Sequence, residues 1–174
     1  MNKIQFMKTG GALMNLMRIP GLISVSWSID SSNPTENNSR DRAFDGDRDT
    51  SFNLGGSLGS RDGHCYVTLT ATLPASMRIE RIYTKGCMST EEGGNEANHN
   101  KYYDVFVNDV NIYSWATGGR GYNGYVIVND DVTVRDGVTT IKFQMQCNYH
   151  RPSNENNGGF AGCDFYELEI WGRI

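Results

Sequence analysis

One short acidic segment contains side chains that are well suited to binding a metal ion. Within residues 42–52, termed the acidic bend, three carboxylates and a hydroxyl surround one glycine: Asp45, Gly46, Asp47, Asp49 and Thr50. The glycine permits a tight turn. Hard cations such as Ca²⁺ take about six to eight oxygens from carboxylates, hydroxyls and main-chain carbonyls. The spacing therefore predicts a calcium site, and the alternative is a solvated turn whose aspartates cap backbone amides.

The acidic bend does not have the pattern of an EF-hand calcium loop. The glutamate expected at the twelfth position is missing, and no helices are predicted on either side. A distant strand would then have to supply the last ligand. Alternation along residues 165–172 places Glu167 and Glu169 on the same face of such a strand.

The elements that must position these groups are β-strands. Alternating and β-branched runs from residue 22 onward predict about nine strands, the number that a two-sheet sandwich needs. They cover residues 22–27, 65–70, 79–84, 102–107, 111–115, 125–128, 132–134, 138–146 and 165–171. Residues 108–111, which read Asn-Asp-Val-Asn, are predicted to form a hairpin turn between two of them. Residues 1–20 form a short irregular or helical extension, and residues 21–174 form one domain.

Bulk properties exclude several classes of partner. The chain has 174 residues and a net charge of −4, so a nucleic-acid backbone would be repelled on average. No run approaches the length of about 20 apolar residues that crosses a bilayer, and no signal peptide is recognisable. A nucleophile elbow, a His-Glu-x-x-His motif and a P-loop are also missing, so we expect a protein that is not an enzyme.

The two acidic segments together resemble the end motifs of a known family. Residues 43–52 read Ala-x-Asp-Gly-Asp-x-x-Thr-x-Phe, and residues 167–172 read Glu-x-Glu-x-Trp-Gly. This combination is similar to the discoidin family, also called coagulation-factor type C, which includes many galactose-binding-like carbohydrate-binding modules. The resemblance covers roughly residues 22–172, and Phe52 stands where the family usually has Trp.

The resemblance implies an all-β jelly-roll sandwich of about eight strands with a structural Ca²⁺. Carried over residue by residue, the ligands would be the carbonyls of Ala43 and Asp47, the side chain of Asp45, the hydroxyl and carbonyl of Thr50, and Glu167. It also implies a non-catalytic domain that binds a glycan or cell-surface polysaccharide through loops at one end.

Three long loops are predicted at residues 31–61, 85–101 and 148–162, where a ligand site is expected. Sugar recognition needs planar polar groups for the hydroxyls and an aromatic face for the ring. The loops offer both kinds of side chain, in Asn53, Lys85, Asn98, His99, Tyr149, Arg151 and Phe160. The family commonly uses an Arg and an Asn near the loop from Lys85 to Asn98, but this chain has Lys85 and no Arg there, which argues against a simple galactose specificity.

The cysteines leave two alternatives open. Cys147 and Cys163 bracket the third loop and could form a disulfide if their strands are antiparallel neighbours. The alternative is a pair of buried, reduced thiols.

The biological setting is a hypothesis from the sequence. An extracellular style of domain without an export signal suggests a bacteriophage capsid decoration, tail or fibre protein on the virion surface. Residues 1–20 would dock on other virion proteins, and a homo-oligomer would be usual for such a fitting. The alternatives are an extracellular carbohydrate-binding module of a secreted bacterial glycoside hydrolase, or a jelly roll that only packs against other proteins.

Overall fold

The computed structural model describes residues 11–31, 35–58, 62–91, 98–118, 124–130, 135–150 and 159–174. Within these ranges the chain forms ten strands, all paired antiparallel, and two 3₁₀ helices, at Leu16–Arg18 and Arg40–Phe44. The strands are β1 (Leu13–Asn15), β2 (Ser24–Ser31), β3 (Glu36–Asn37), β4 (Phe52–Leu58), β5 (Asp62–Glu91), β6 (Asn98–Val107), β7 (Val110–Gly118), β8 (Gly124–Asp130), β9 (Arg135–His150) and β10 (Gly159–Arg173). The predicted all-β sandwich of jelly-roll type is confirmed.

The long strand β5 belongs to both layers of the sandwich. Its first part pairs with β2 and β9, and β6 and β7 extend that layer. Its last part pairs with β8 and β10, and β4 and β3 extend the second layer. The register with β9 shifts between Thr72 and Met77, on either side of Pro74. Proline interrupts a hydrogen-bond ladder, which suits a corner where one strand passes from layer to layer.

Aromatic side chains close the space between the two layers. Trp27 of β2 packs edge-on against Phe52 of β4 and Phe165 of β10, with ring centroids 4.9 and 5.1 Å apart. Phe143 of β9 packs against Phe165 at 4.7 Å. The hydroxyl of Tyr103 on β6 donates to Thr84 of β5 at 2.5 Å. These contacts cross from one layer to the other and define the core.

Alternation in the sequence accounts for most of this architecture. Residues 65, 67, 69 and 71 of β5 are fully buried, and the residues between them face outward. Asn108 and Asp109 both have positive φ, of 47° and 65°, and form the hairpin turn between β6 and β7, whereas Val110 and Asn111 of the predicted turn already belong to β7. Asparagine and aspartate tolerate this backbone better than most residues.

The structure corrects the predicted loops, and one predicted strand falls outside the described residues. The predicted loop at 31–61 contains β3 and β4, and strands also enter the predicted loops at 85–101 and 148–162. The described start of the chain forms the short strand β1, which pairs with β10, followed by the 3₁₀ helix Leu16–Arg18, in which Leu16 is fully buried. The predicted strand at 132–134 lies outside the described residues. No helix among the described residues is long and apolar enough to span a membrane.

Candidate functional site

The acidic bend is shaped by its own side chains. Asp45 accepts a hydrogen bond from the amide of Asp47 at 2.8 Å, and Asp47 accepts one from the amide of Asp49 at 3.0 Å. The hydroxyl of Thr50 donates to the second carboxylate oxygen of Asp45 at 2.9 Å. Gly46 has a φ of +85°, a conformation that favours glycine. Hydrogen bonds within the bend therefore define much of its shape.

The backbone of the bend is hydrogen-bonded to Glu167 of the last strand. The amide of Gly46 donates to Oε2 of Glu167 at 2.9 Å, although 121 residues separate the two positions. The Asp45 carboxylate is close enough to Glu167 to affect its pKa. The predicted convergence of the acidic bend with the final strand is therefore present.

Glu167 lies in an unusual environment for a carboxylate. Its side chain is fully buried, and Oε1 has no hydrogen-bond partner among the described residues. Burial, together with the nearby charges of Glu169 and Asp45, raises the pKa of Glu167 to about 8, although the Gly46 amide and Arg18 act in the opposite direction. A buried carboxylate in this position is stabilised by taking up a proton or by a cation.

The predicted calcium ligands are gathered here. Asp45, Thr50 and Glu167 lie together, and the carbonyl of Asp47 accepts from the Thr50 hydroxyl at 3.2 Å. Ala43 is fully buried at the end of the adjoining 3₁₀ helix. No three His, Cys, Asp or Glu side chains in the described ranges cluster as a metal site. A cation here would therefore depend on carbonyl and hydroxyl oxygens as well as carboxylates, which is the ligand set that Ca²⁺ accepts.

The neighbouring Glu169 has a different role. Arg48 donates to both of its carboxylate oxygens, at 2.8 and 2.9 Å, and the Trp171 indole donates at 2.8 Å. Burial alone would raise the pKa of Glu169, but these hydrogen bonds outweigh it and leave the pKa lowered. The Arg48 guanidinium also lies 3.8 Å from the centroid of the Tyr83 ring. Glu169 therefore holds the bend through Arg48, while Glu167 keeps one oxygen unused.

Two of the predicted ligand-binding residues have hydrogen-bond partners within the chain. The Lys85 ammonium donates to the carbonyl of Arg48 at 2.5 Å and lies 3.5 Å from an Asp49 carboxylate oxygen. The amide of Asn53 bonds to Asp164. Lys85 therefore braces the acidic bend, and Asn53 links β4 to β10.

The other predicted ligand-binding residues lie on strand ends or outside the described residues. The backbone of Asn98 and His99 begins β6, where His99 pairs with Tyr149 near the end of β9. Phe160 begins β10 and pairs with Glu91 at the end of β5. Because β5 turns from one layer to the other, its two ends lie at the same end of the sandwich. The side chains of Asn98, His99, Tyr149 and Phe160, and all of Arg151, lie outside what the structure describes.

Comparisons with known proteins place this fold among solved structures. No family model matches the chain, and no curated protein matches it. A family 61 carbohydrate-binding module, TmCBM61, in complex with β-1,4-galactotriose has a TM-score of 0.44 and 12% identity over 85% of this chain and 88% of that chain. The family 32 module of C. perfringens NanJ, in complex with galactose, has a TM-score of 0.36 and 14% identity, covering 83% and 93%.

Carbohydrate-binding modules are among the structures that this chain resembles. Tailspike protein 4 of bacteriophage CBA120 is also similar, with a TM-score of 0.38 and 17% identity over 86% of this chain but only 19% of that chain. At these values the likeness concerns the fold, and the site must be argued from the residues of this chain.

The four cysteines, all within the described residues, form no disulfide. Cys147 and Cys163 are therefore buried, reduced thiols in the structure, which is the second of the two alternatives. Each of them lies next to Cys65. Cys65 and Cys147 are paired in register on β5 and β9, and the thiol of Cys163 lies 3.5 Å from the carbonyl of Cys65 in the other layer. Burial raises the pKa of the Cys163 thiol well above its usual value.

Sequence reasoning missed one surface of the sandwich. The outward residues of β2, β5, β9 and β6 line a cleft on the open face of the first layer. The signal was present in the sequence as alternating polar residues, for example Ser24, Ser26 and Ser28 in β2. Such alternation by itself indicates only the outer face of a strand and does not predict a cleft.

Proposed function

We propose that this chain is a non-catalytic glycan-binding module whose final strand and acidic bend are joined by Ca²⁺. The hydrogen bond from the Gly46 amide to Glu167 supports this proposal most strongly. The resemblance to the discoidin family rests on two sequence motifs, and this contact joins them as the resemblance implies. A chance similarity between two short acidic segments would not bring them together across 121 residues.

Ca²⁺ would be held by Asp45, Thr50, Glu167 and the carbonyls of Ala43 and Asp47. The ion would supply positive charge to the unpartnered Oε1 of Glu167 and so replace the proton that burial otherwise favours. Its role would be structural, because the surrounding groups pin the bend to β10. The bend is also tied to β5 by Lys85, which donates to the Arg48 carbonyl, and to β10 by Arg48, which donates to Glu169.

The glycan would be bound at the end of the sandwich where β5 both begins and ends. Asn98, His99, Tyr149 and Phe160 belong to strand ends that meet there. Arg151 follows β9 directly in the sequence. Amide, imidazole and guanidinium groups bond to sugar hydroxyls, and aromatic rings cover the apolar face of a sugar ring.

A glycan array tests this proposal. The wild-type chain should bind at least one glycan on an array that includes galactose and β-1,4-galactotriose, and Arg151→Ala and Phe160→Ala should weaken that binding. Val110→Ala is a suitable control, because Val110 is 65% exposed on the β6–β7 hairpin at the other end of β6. A blank array with a folded wild-type chain would refute glycan binding and favour a jelly roll that only packs against proteins.

The non-catalytic part of the proposal has its own measurement. Incubating the chain with any polysaccharide that it binds should release no new reducing ends. The chain would be an enzyme if it still released reducing ends after repurification and if a substitution in the chain abolished that release.

The placement on a phage particle stays a prediction from the sequence. Residues 11–19 are packed on the sandwich: Leu16 is fully buried, and the carbonyl of Gly11 accepts a hydrogen bond from Arg173 at 2.7 Å. The test of docking is therefore deletion of residues 1–10, which spares these contacts. Loss of particle incorporation with an unchanged melting temperature would support docking, and unchanged incorporation would refute it.

A further inference from the structure

The open face of the first layer carries a cleft of about 340 Å³. It lies across the strands, away from the acidic bend and from the sandwich end considered above. We name it the strand-face cleft, and its lining consists of Ser28, Thr68, Thr70, Phe106, Lys142 and Gln144, with Asp109 beside Lys142. Sites for small ligands span roughly 300 to 1,000 Å³, so this volume suits a short stretch of a longer molecule.

Strand register aligns the lining into two rows. In the first row Ser28 of β2 pairs with Thr68 of β5, which pairs with Gln144 of β9. In the second row Thr70 of β5 pairs with Lys142 of β9, which pairs with Phe106 of β6. Neighbouring strands lie about 4.8 Å apart, so the four strands span about 14 Å from β2 to β6. The cleft is therefore elongated across the sheet.

The groups in the cleft are those that recognise sugars. Ser28, Thr68 and Thr70 carry hydroxyls that donate and accept, and Gln144 carries an amide. The Gln144 amide already donates to the Thr68 hydroxyl at 3.0 Å, which fixes the orientation of both groups. Phe106 contributes an aromatic ring to the lining. Polar groups around one apolar ring match the alternating hydroxyl and C–H surface of a sugar.

The aromatic surface continues beyond the cleft. Tyr66 and Tyr102 occupy the next outward positions, on β5 and β6, and both pair with Gln146 of β9. Tyr102 is 39% exposed, and the Tyr66 ring lies 4.8 Å from that of His64. A ligand longer than the cleft would therefore meet further rings on the same face.

The charges of the cleft favour an uncharged ligand. Lys142 is paired with Asp109, so the one cation in the lining has a counter-ion beside it. The whole chain carries a net charge of −4. A phosphate or an acidic polymer would meet no excess of positive charge here, whereas neutral hydroxyls would find several partners.

We propose that the strand-face cleft binds an extended, uncharged polysaccharide chain that crosses β2, β5, β9 and β6. This inference rests on the proposed glycan-binding function and adds a second site, separate from the sandwich end. The two sites differ in the ligand that they suit. The cleft takes the interior of a chain, and the strand ends take a terminal sugar.

Affinity electrophoresis through gels containing soluble galactan, mannan, xylan or mixed-linked β-glucan tests the cleft. At least one of these polysaccharides should retard the wild-type chain. Phe106→Ala should weaken that binding roughly tenfold or more, as loss of a central aromatic contact does. Gln144→Ala should weaken it about threefold to tenfold, the value of one hydrogen bond.

The matched control is Thr72→Ala. Thr72 is exposed on the same face of β5, two residues beyond Thr70, and is not part of the cleft lining. It should bind like the wild-type chain. Phe106→Leu keeps the apolar volume but removes the flat ring. If this variant binds weakly and its melting temperature is unchanged, the lost binding reflects a lost ligand contact and not a loss of folding.

The outcomes distinguish the two proposals. Retardation of the wild-type chain that Phe106→Leu and Gln144→Ala leave unchanged would overturn the cleft and leave glycan binding intact. No retardation of the wild-type chain by any of the four polysaccharides would overturn the cleft proposal. If the glycan array were also blank, the proposed function would fail with it.

Discussion

Gly46 and Glu167 are joined by a 2.9 Å hydrogen bond across 121 residues of sequence. That bond leaves Oε1 of Glu167 buried and without a partner in the described part of the chain. A buried carboxylate is costly unless it is paired or protonated. The Glu167 carboxylate therefore requires a proton or a cation in the folded chain, and this requirement can be tested.

We predict that stability without metal falls as pH rises. The pKa of Glu167 is about 8 in the folded chain, against an ordinary value of 4.5. Between these values the folded state holds the proton and the unfolded state does not, so the free energy of unfolding decreases with pH. Urea unfolding in EDTA, compared between wild type and Glu167→Gln, isolates this effect. Equal pH slopes for the two proteins would contradict it.

Gly46→Ala should destabilise the bend more than an ordinary glycine substitution. Gly46 has a φ of +85°, and a Cβ there would lie 2.9 Å from Nη1 of Arg18. We expect a loss of roughly 1–3 kcal/mol in the free energy of unfolding. Gly21→Ala is the matched control, because Gly21 also has positive φ, of +71°, but a Cβ would meet nothing within 4 Å. An equal loss for both variants would show that Arg18 does not crowd this position.

Glu169→Gln should cost about 1–3 kcal/mol of stability, because it weakens the hydrogen bonds from Arg48 and Trp171 in a buried setting. The control is Glu36→Gln, which removes an exposed ion pair with Arg40 and should cost less than about 1 kcal/mol. Thermal unfolding at neutral pH compares the two variants. A larger loss for Glu36→Gln would refute the assignment of Glu169 as the residue that anchors the bend.

Thiol labelling should find one reactive cysteine in the native chain. Cys87 is half-buried, whereas Cys65, Cys147 and Cys163 are fully buried. An aromatic disulfide reagent should therefore modify Cys87 first and the other three only on unfolding. Mass spectrometry after labelling in denaturant without reductant should show four modified thiols. Two unmodified residues, Cys147 and Cys163, would instead reveal the bridge that their sequence positions suggested.

The sequence was informative where a pattern is local. Asn108 and Asp109 specify their turn through their own backbone preferences, and the spacing from Asp45 to Thr50 specifies the bend through hydrogen bonds within it. The partnership of Glu167 with that bend was inferred through a family resemblance. No local interaction links positions so far apart.

The parts that the sequence did not predict depend on tertiary pairing. β4 contains Gly55 and Gly56 and has little intrinsic strand preference, but it pairs with β10 from Phe52 to Leu58. The strand-face cleft is assembled by the relative register of four strands, which alternation within each strand does not determine. Lys85 donates to the carbonyl of Arg48, and Glu169 accepts from its guanidinium. These contacts likewise depend on folding, which brings distant residues together.

Calorimetric titration of Ca²⁺ into the EDTA-treated and desalted chain tests the central claim most directly. The wild-type chain should bind one ion near pH 8, and binding should weaken as the pH is lowered, because a proton competes for Glu167. Glu167→Gln should abolish the binding while the chain stays folded, and Glu36→Gln should retain it. A folded wild-type chain that gives no binding signal and no rise in melting temperature with added Ca²⁺ would contradict the account.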